Sequence, residues 1–130
     1  MRAVLLQFQP LQVSYSGKNE LRTLTGAEWL GGMDSPKGYG LSCAFYRNEL
    51  LMRLLARDDP HPLVFNGYRP ALCEIAAGQP MDDTLRRFEW LLLRETGVAP
   101  DVEHDTQEAA IRLDGHYSWT PVNGFVACEP

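Results

Sequence analysis

The chain of 130 residues has no apolar run approaching the roughly 18 residues of a membrane-spanning helix, so the reading excludes a membrane role. It has no cluster of lysines and arginines either: Arg86-Arg87 is the nearest approach, with Arg47, Arg53 and Arg57 scattered. Twelve basic residues against 17 acidic ones give a net charge of −5. A field of that sign repels phosphate, so no direct contact with nucleic acid is expected. The three cysteines, Cys43, Cys73 and Cys128, form no C-x-x-C unit, which excludes a zinc ribbon and a dithiol redox motif. An odd count fits a reducing compartment. His61, His104 and His116 stand far apart with no HExxH context, so no metal centre is expected. Gly31-Gly32 is not followed by Gly-Lys-Ser/Thr, and Gly38-Tyr39-Gly40 lacks a third glycine, so no phosphate-cradling loop and no cofactor are expected. The N-terminus turns polar at Gln7 and Gln9, too early for a signal peptide's apolar region, and cytoplasmic residence is the expectation.

What is present suits one compact domain over residues 1–130. At 14.7 kDa, area scaling predicts about 6,900 Å² of accessible surface when folded, against roughly 21,000 Å² unfolded. Residues 2–8 read as a strand, and Leu11 to Tyr15 as a second one ended by Ser16-Gly17-Lys18-Asn19. Thr25 to Leu30 reads as a helical turn carrying Trp29, and Gly31 to Gly38 as a loop rich in breakers. Ser42 to Ala56 predicts a helix with Ser42 as N-cap and apolar residues over more than half its circumference. Leu63-Val64-Phe65 reads as a short strand, Asn66-Gly67 as a turn, and Pro70 to Ala77 as a short helix stopped by Gly78. Asp82 to Thr96 predicts a second main helix, buried along Leu85, Phe88 and Leu92 and ended by Gly97. Ala109 to Leu113, Asp114-Gly115, His116 to Thr120, Asn123-Gly124 and Phe125 to Cys128 together predict a three-stranded antiparallel meander. The expected fold is α+β: an antiparallel sheet built from the N-terminal strands and this meander, with two main helices packed on it.

Three features carry chemistry. Cys43, directly after the predicted cap, would lie in the first turn of a helix, where free N–H groups and the dipole stabilise a thiolate. His116 and Asn123 follow on the predicted strands. Cys, His, Asn in that order, with Leu41-Ser42-Cys43-Ala44-Phe45 around the thiol, resembles the papain-like cysteine peptidases. The resemblance implies a catalytic Cys43, His116 and Asn123. It departs from the family in having no glutamine between Asp34 and Ser42, and Ala44 where an aromatic residue usually follows the cysteine. A cysteine serving as packing on an apolar helix is the favoured reading.

The second feature is the aromatic pair Trp29 and Tyr39 flanking the breaker-rich loop, which suits a protein-binding hot spot. The third is the acidic group Asp101, Glu103, Asp105 and Glu108, offered to a basic protein partner. The leading functional expectation is therefore a non-enzymatic acidic module that inhibits or neutralises a macromolecular partner, of immunity, antitoxin or anti-defence type. A cysteine hydrolase or transferase using Cys43 and His116 stands second, and a small-molecule-binding regulatory domain third.

Overall fold

Three helices that pack on one another form the core, and the computed structural model describes them within residues 7–129. A hairpin of β1 (Leu11–Ser16) and β2 (Thr23–Trp29) precedes α1 (Gly38–Leu54), α2 (Pro62–Ala76) and α3 (Met81–Glu95); a second hairpin of β3 (Tyr117–Thr120) and β4 (Gly124–Ala127) follows. The expected strand at 2–8 falls largely outside the described residues.

The third helix follows its sequence closely. Leu85, Phe88 and Leu92 are buried along one stripe, Asp82 and Asp83 occupy the first turn, and Gly97 takes the left-handed conformation (φ +73°) just past the end. The second helix corrects the expected strand, turn and short helix. Val64, Leu72 and Ile75 recur at helical spacing and are all buried, and that stripe outweighs the strand preference of Leu63-Val64-Phe65. Pro62 opens the helix where a missing N–H costs nothing. Gly67 is no turn residue: a methyl there would stand 2.6 Å from Leu91 Cδ2, so its lack of a side chain lets α3 approach. Pro70 lies inside α2 and leaves the carbonyl of exposed Asn66 without its helical donor, on the water side.

The first helix begins four residues earlier than expected. Its N-cap is Lys37, in extended conformation and without a side-chain cap, and Ser42 is an interior residue. Gly40 sets the contact with α2, since a methyl there would meet Ile75 Cγ2 at 3.0 Å.

The expected single sheet with helices on its face is not formed. The two hairpins are separate two-stranded sheets, and among the described residues none of their strands packs against a helix. Residues 25–29 belong to β2, paired from Leu11↔Trp29 to Ser16↔Thr23 with an irregularity at Ser14/Tyr15. At the other end, β3 and β4 pair as expected around the Asn123-Gly124 turn, from Tyr117↔Ala127 to Thr120↔Gly124. The third meander strand is absent: only an isolated bridge, His104↔Ala110, forms there. The reason is local. Arg112 turns back to grip Asp114 through two bonds (3.0 and 2.8 Å) and donates its N–H to the Tyr117 hydroxyl at 3.1 Å. The Asp114-Gly115 corner thus closes on its own side chains instead of on a strand partner. The accessible surface is 10,006 Å², well above the roughly 6,900 Å² expected of a compact chain of this mass.

The helical core is divided into two apolar clusters, Cys43, Ile75 and Leu85 in one and Val64, Phe88 and Leu92 in the other. Arg47, fully buried (0% exposed), lies on the Phe88 ring at 4.0 Å and on the Tyr68 ring at 4.9 Å. One terminal nitrogen donates to the Tyr68 carbonyl at 3.1 Å, while Nε and the other terminal nitrogen have no partner among the described residues. Burial lowers its pKa to about 10, so the guanidinium is still cationic at neutral pH.

An unpaired buried charge is costly, and an apolar group of similar length often replaces one without loss. Arg47→Met is therefore expected to stay within ~1 kcal/mol of the parent in urea unfolding. Arg47→Ala, which empties the space beneath both rings, should lose roughly 2–4 kcal/mol. Equal losses in the two variants would show that the ring contacts and the carbonyl bond outweigh desolvation.

Candidate functional site

Cys43, His116 and Asn123 are not brought together. Cys43 is the sixth residue of α1, beyond the free N–H groups of its first turn, and is 4% exposed. Its Sγ lies 3.8 Å from Met81 Sδ and packs with Ile75 and Leu85. His116 is exposed just before β3, where its carbonyl accepts the Cys128 N–H at 2.9 Å. Asn123 stands in the β3–β4 turn, and α1 touches neither strand. Among the described residues no group of three or more His, Cys, Asp or Glu side chains is placed to hold a metal ion.

The acidic group is largely engaged with its own backbone. Asp101 Oδ1 accepts the N–H groups of Glu103 (2.7 Å) and His104 (3.1 Å), and Oδ2 lies 3.2 Å from His104 Nδ1. Those backbone donors, with the imidazole, hold the Asp101 carboxyl below its ordinary pKa. Asp105 Oδ1 accepts the N–H groups of Gln107 (2.8 Å) and Ala109 (3.0 Å). Glu108 lies in the same turn with a positive φ of 60° and donates its N–H to the Asp105 carbonyl at 3.0 Å. Glu103 carries the bridge to the next segment, its carbonyl accepting the Ile111 N–H at 2.8 Å.

Of the two loop aromatics, Tyr39 is exposed in the first turn of α1, and Trp29 is exposed at the end of β2. Trp29 leads, through Gln9, to an apolar groove beside α2. Its Nε1–H donates to Gln9 Oε1 at 3.1 Å, and Gln9 Nε2 donates in turn to the Met33 carbonyl at 3.0 Å and the Ser35 hydroxyl at 3.1 Å. Gln9 and Met33 belong to one bank of a groove of about 710 Å³, with Phe8, Pro10, Leu11 and Leu30. Phe65, Asn66, Tyr68, Arg69, Pro70 and Leu72 of α2 form the other bank.

The banks are tied to the core from both sides. Phe8, held at φ +59°, meets Phe45 of α1 edge-on at 5.1 Å, and Tyr68 donates its hydroxyl proton to Asn48 Oδ1. Phe65 is 80% exposed, and among the described residues Arg69 pairs with no carboxylate. An open aromatic ring and an unpaired guanidinium one helical turn apart can stack a planar group while holding an anion. Phe65 and Arg69 were missed from sequence because residues 63–67 read as strand and turn. Had 62–76 been read as one helix, their i, i+4 spacing would have placed them on one face.

Residues 37–129 match the family described as recombination protein O C terminal. The DNA repair protein RecO of Burkholderia pseudomallei is 49% identical over 124 residues, 95% of this chain and 45% of that protein. The protein of the same name from Ralstonia nicotianae is 47% identical over 130 residues, 100% of this chain and 48% of that protein. That of Azoarcus sp. is 43% identical over 129 residues, 98% of this chain and 53% of that protein. The chain thus spans about half the length of the curated relatives it matches.

These matches overturn the expected inhibitor, immunity, antitoxin or anti-defence module, along with its hydrolase and regulatory alternatives. They also overturn the expectation of a protein partner without direct nucleic acid, since the relatives are named as DNA repair proteins. The charge argument treated a net charge of −5 as uniform, whereas several acids are paired locally with arginines and Arg69 pairs with no carboxylate among the described residues.

The thiols separate by exposure: Cys43 is buried, while Cys73 and Cys128 are open. Iodoacetamide at neutral pH should alkylate Cys73 and Cys128 in the folded chain, with Cys43 labelled only once urea unfolds it. Mass spectrometry of the digested protein reads this out, and rapid native labelling of Cys43 would contradict its burial.

Proposed function

The chain belongs to the recombination protein O C-terminal family, and from that membership we propose that it acts in bacterial DNA repair by holding a single DNA strand along the groove between residues 8–11 and α2. The relatives' shared name supports the DNA repair role and, with it, a place in the cytoplasm. The observation that carries the choice of site is the pairing of exposed Phe65 with unpaired Arg69 on one bank. Unpaired bases offer a π-face to any open aromatic ring, and a guanidinium beside it takes the phosphate. Duplex DNA keeps its bases stacked inside and cannot use such a ring, so the geometry favours a single strand. Trp29, linked to the groove through Gln9, extends the aromatic surface toward the hairpin. Tyr39 lies exposed on the first turn of α1, outside the lining of the groove.

The reading also accounts for the acidity. With a net charge of −5, phosphate contacts depend on local sites, and this groove offers a guanidinium without a carboxylate partner beside an open ring. Each base–ring stack contributes about 1–3 kcal/mol.

Phe65→Ala should therefore weaken binding of an unstructured oligonucleotide roughly 5- to 100-fold by fluorescence anisotropy. Arg69→Gln should lower the salt slope of binding by about one. Unchanged affinity in Phe65→Ala, with the fold intact by circular dichroism, would move the strand off this groove.

A further inference from the structure

A second concavity, of about 540 Å³, lies at the opposite end of the chain, between the exit of α3 and the β3–β4 hairpin. Its volume is in the range of small-ligand clefts, roughly 300–1,000 Å³. Pro100 gives it a stiff apolar wall, and Trp119 of β3 faces it with 47% of its surface still exposed. Phe125, paired with Trp119 across the strands, lies behind the indole, ring centres 6.5 Å apart. The Thr106 N–H donates to the Phe125 carbonyl at 2.8 Å, which fixes the polar side of the cleft to the hairpin.

That polar side has a definite chemistry. Asp105 is half-buried, and its Oδ1 is saturated by two backbone donors, which pins the carboxylate. Its Oδ2 has no hydrogen-bond partner among the described residues. Thr106, Asn123 and the Asp101–His104 contact (3.2 Å) supply further polar groups, and no lysine or arginine lines the cleft. A phosphate would therefore meet two carboxylates with no lysine or arginine to offset them. A flat neutral group that donates hydrogen bonds would find a stacking face and a fixed acceptor.

Resting on the reading above that the chain holds a DNA strand, we propose that this cleft receives one unstacked, amine-bearing nucleobase, with Trp119 as its stacking face and Asp105 Oδ2 accepting from its amine. Cytosine, adenine and guanine each present an exocyclic amine. Thymine's one edge donor, its N3–H, is flanked by carbonyl oxygens on both sides, and these repel a carboxylate that accepts from it. The cleft thus discriminates against thymine, while the phosphates stay outside. The same edge could come from a strand or from a free nucleoside.

The test uses the full chain labelled with 5-fluorotryptophan, the Trp119 resonance being assigned by its loss in Trp119→Phe. Oligo(dC), oligo(dT) and free cytidine are titrated by 19F NMR, with strand binding followed in parallel by anisotropy. Oligo(dC) should shift the Trp119 resonance saturably, with affinity at that site roughly tenfold above oligo(dT). Asp105→Asn keeps Oδ1 for the turn but replaces the free acceptor with a donor, so it should reverse the preference toward thymine. A purely structural Asp105 would give no such reversal.

Strands that bind by anisotropy without moving Trp119, or an Asp105→Asn variant with unchanged preference, would overturn the base site and leave the groove reading standing. If no strand binds at all, the DNA reading itself fails, and cytidine decides the cleft: a saturable Trp119 shift supports a nucleoside site, and none overturns it.

Discussion

The helical core is organised around a cation. Arg47 comes from α1, its two ring partners come from α2 and α3, and the carbonyl it bonds belongs to α2. Among the described residues no other buried side chain reaches all three helices through polar and aromatic contacts at once. Ring faces carry the negative end of the aromatic quadrupole, and desolvation strengthens their attraction for a guanidinium. The arrangement is directional where packing of leucines is not. A small core with two separate apolar clusters has little else to fix the rotation of each helix about its axis. On this view Arg47 contributes to orientation more than to net stability, because two of its three guanidinium nitrogens have no partner among the described residues.

That orientation sets the groove. Tyr68 touches Arg47 with its ring and carbonyl, bonds Asn48 of α1 with its hydroxyl, and lines the groove on its other side. Phe65 and Arg69 flank Tyr68 by three residues and one, so the rotation of α2 that satisfies Arg47 also turns those two side chains outward. The opposite bank is held by a different contact, Phe8 against Phe45 at a left-handed backbone position. Two independent constraints, one on each bank, keep the groove open without a bound molecule.

Elements whose hydrophobic period matched their environment were legible in the sequence. The third helix shows this best, with its buried stripe, acidic first turn and terminal glycine all pointing the same way. The second helix was not, because Val64, Phe65, Asn66 and Gly67 speak locally for strand and turn. Only the longer recurrence of Val64, Leu72 and Ile75, and the close approach of Leu91 to Gly67, resolves them as helix. The C-terminal hairpin was readable as a pair of strands, whereas Thr25 to Leu30, read as a helical turn, lies largely in β2; the isolation of both hairpins was not readable, since a strand pattern does not name its neighbour. The papain-like order of Cys43, His116 and Asn123 was similarly a pattern without a meeting place, and burial in a helical core withdraws the thiol from it. Asp105 was legible as an acidic loop residue. Its division into one oxygen that builds a turn and one that stays free was not, because backbone donors leave no mark in composition.

Net charge misleads here for a physical reason that extends to the proposed sites. Glu74 and Glu89 answer Arg87 and Arg86 on α3, Asp58 answers Arg22, and Asp114 answers Arg112. Charges paired at contact distance cancel within a Debye length, about 8 Å at physiological ionic strength. A strand approaching the groove therefore meets the local sign, set by Arg69, before it meets the sum. At the C-terminal cleft the local sign is negative, set by Asp105, which suits a base edge and not a phosphate. On the proposed reading the two concavities divide the chemistry of a nucleotide between them, one taking its charged backbone and the other the donor edge of its base.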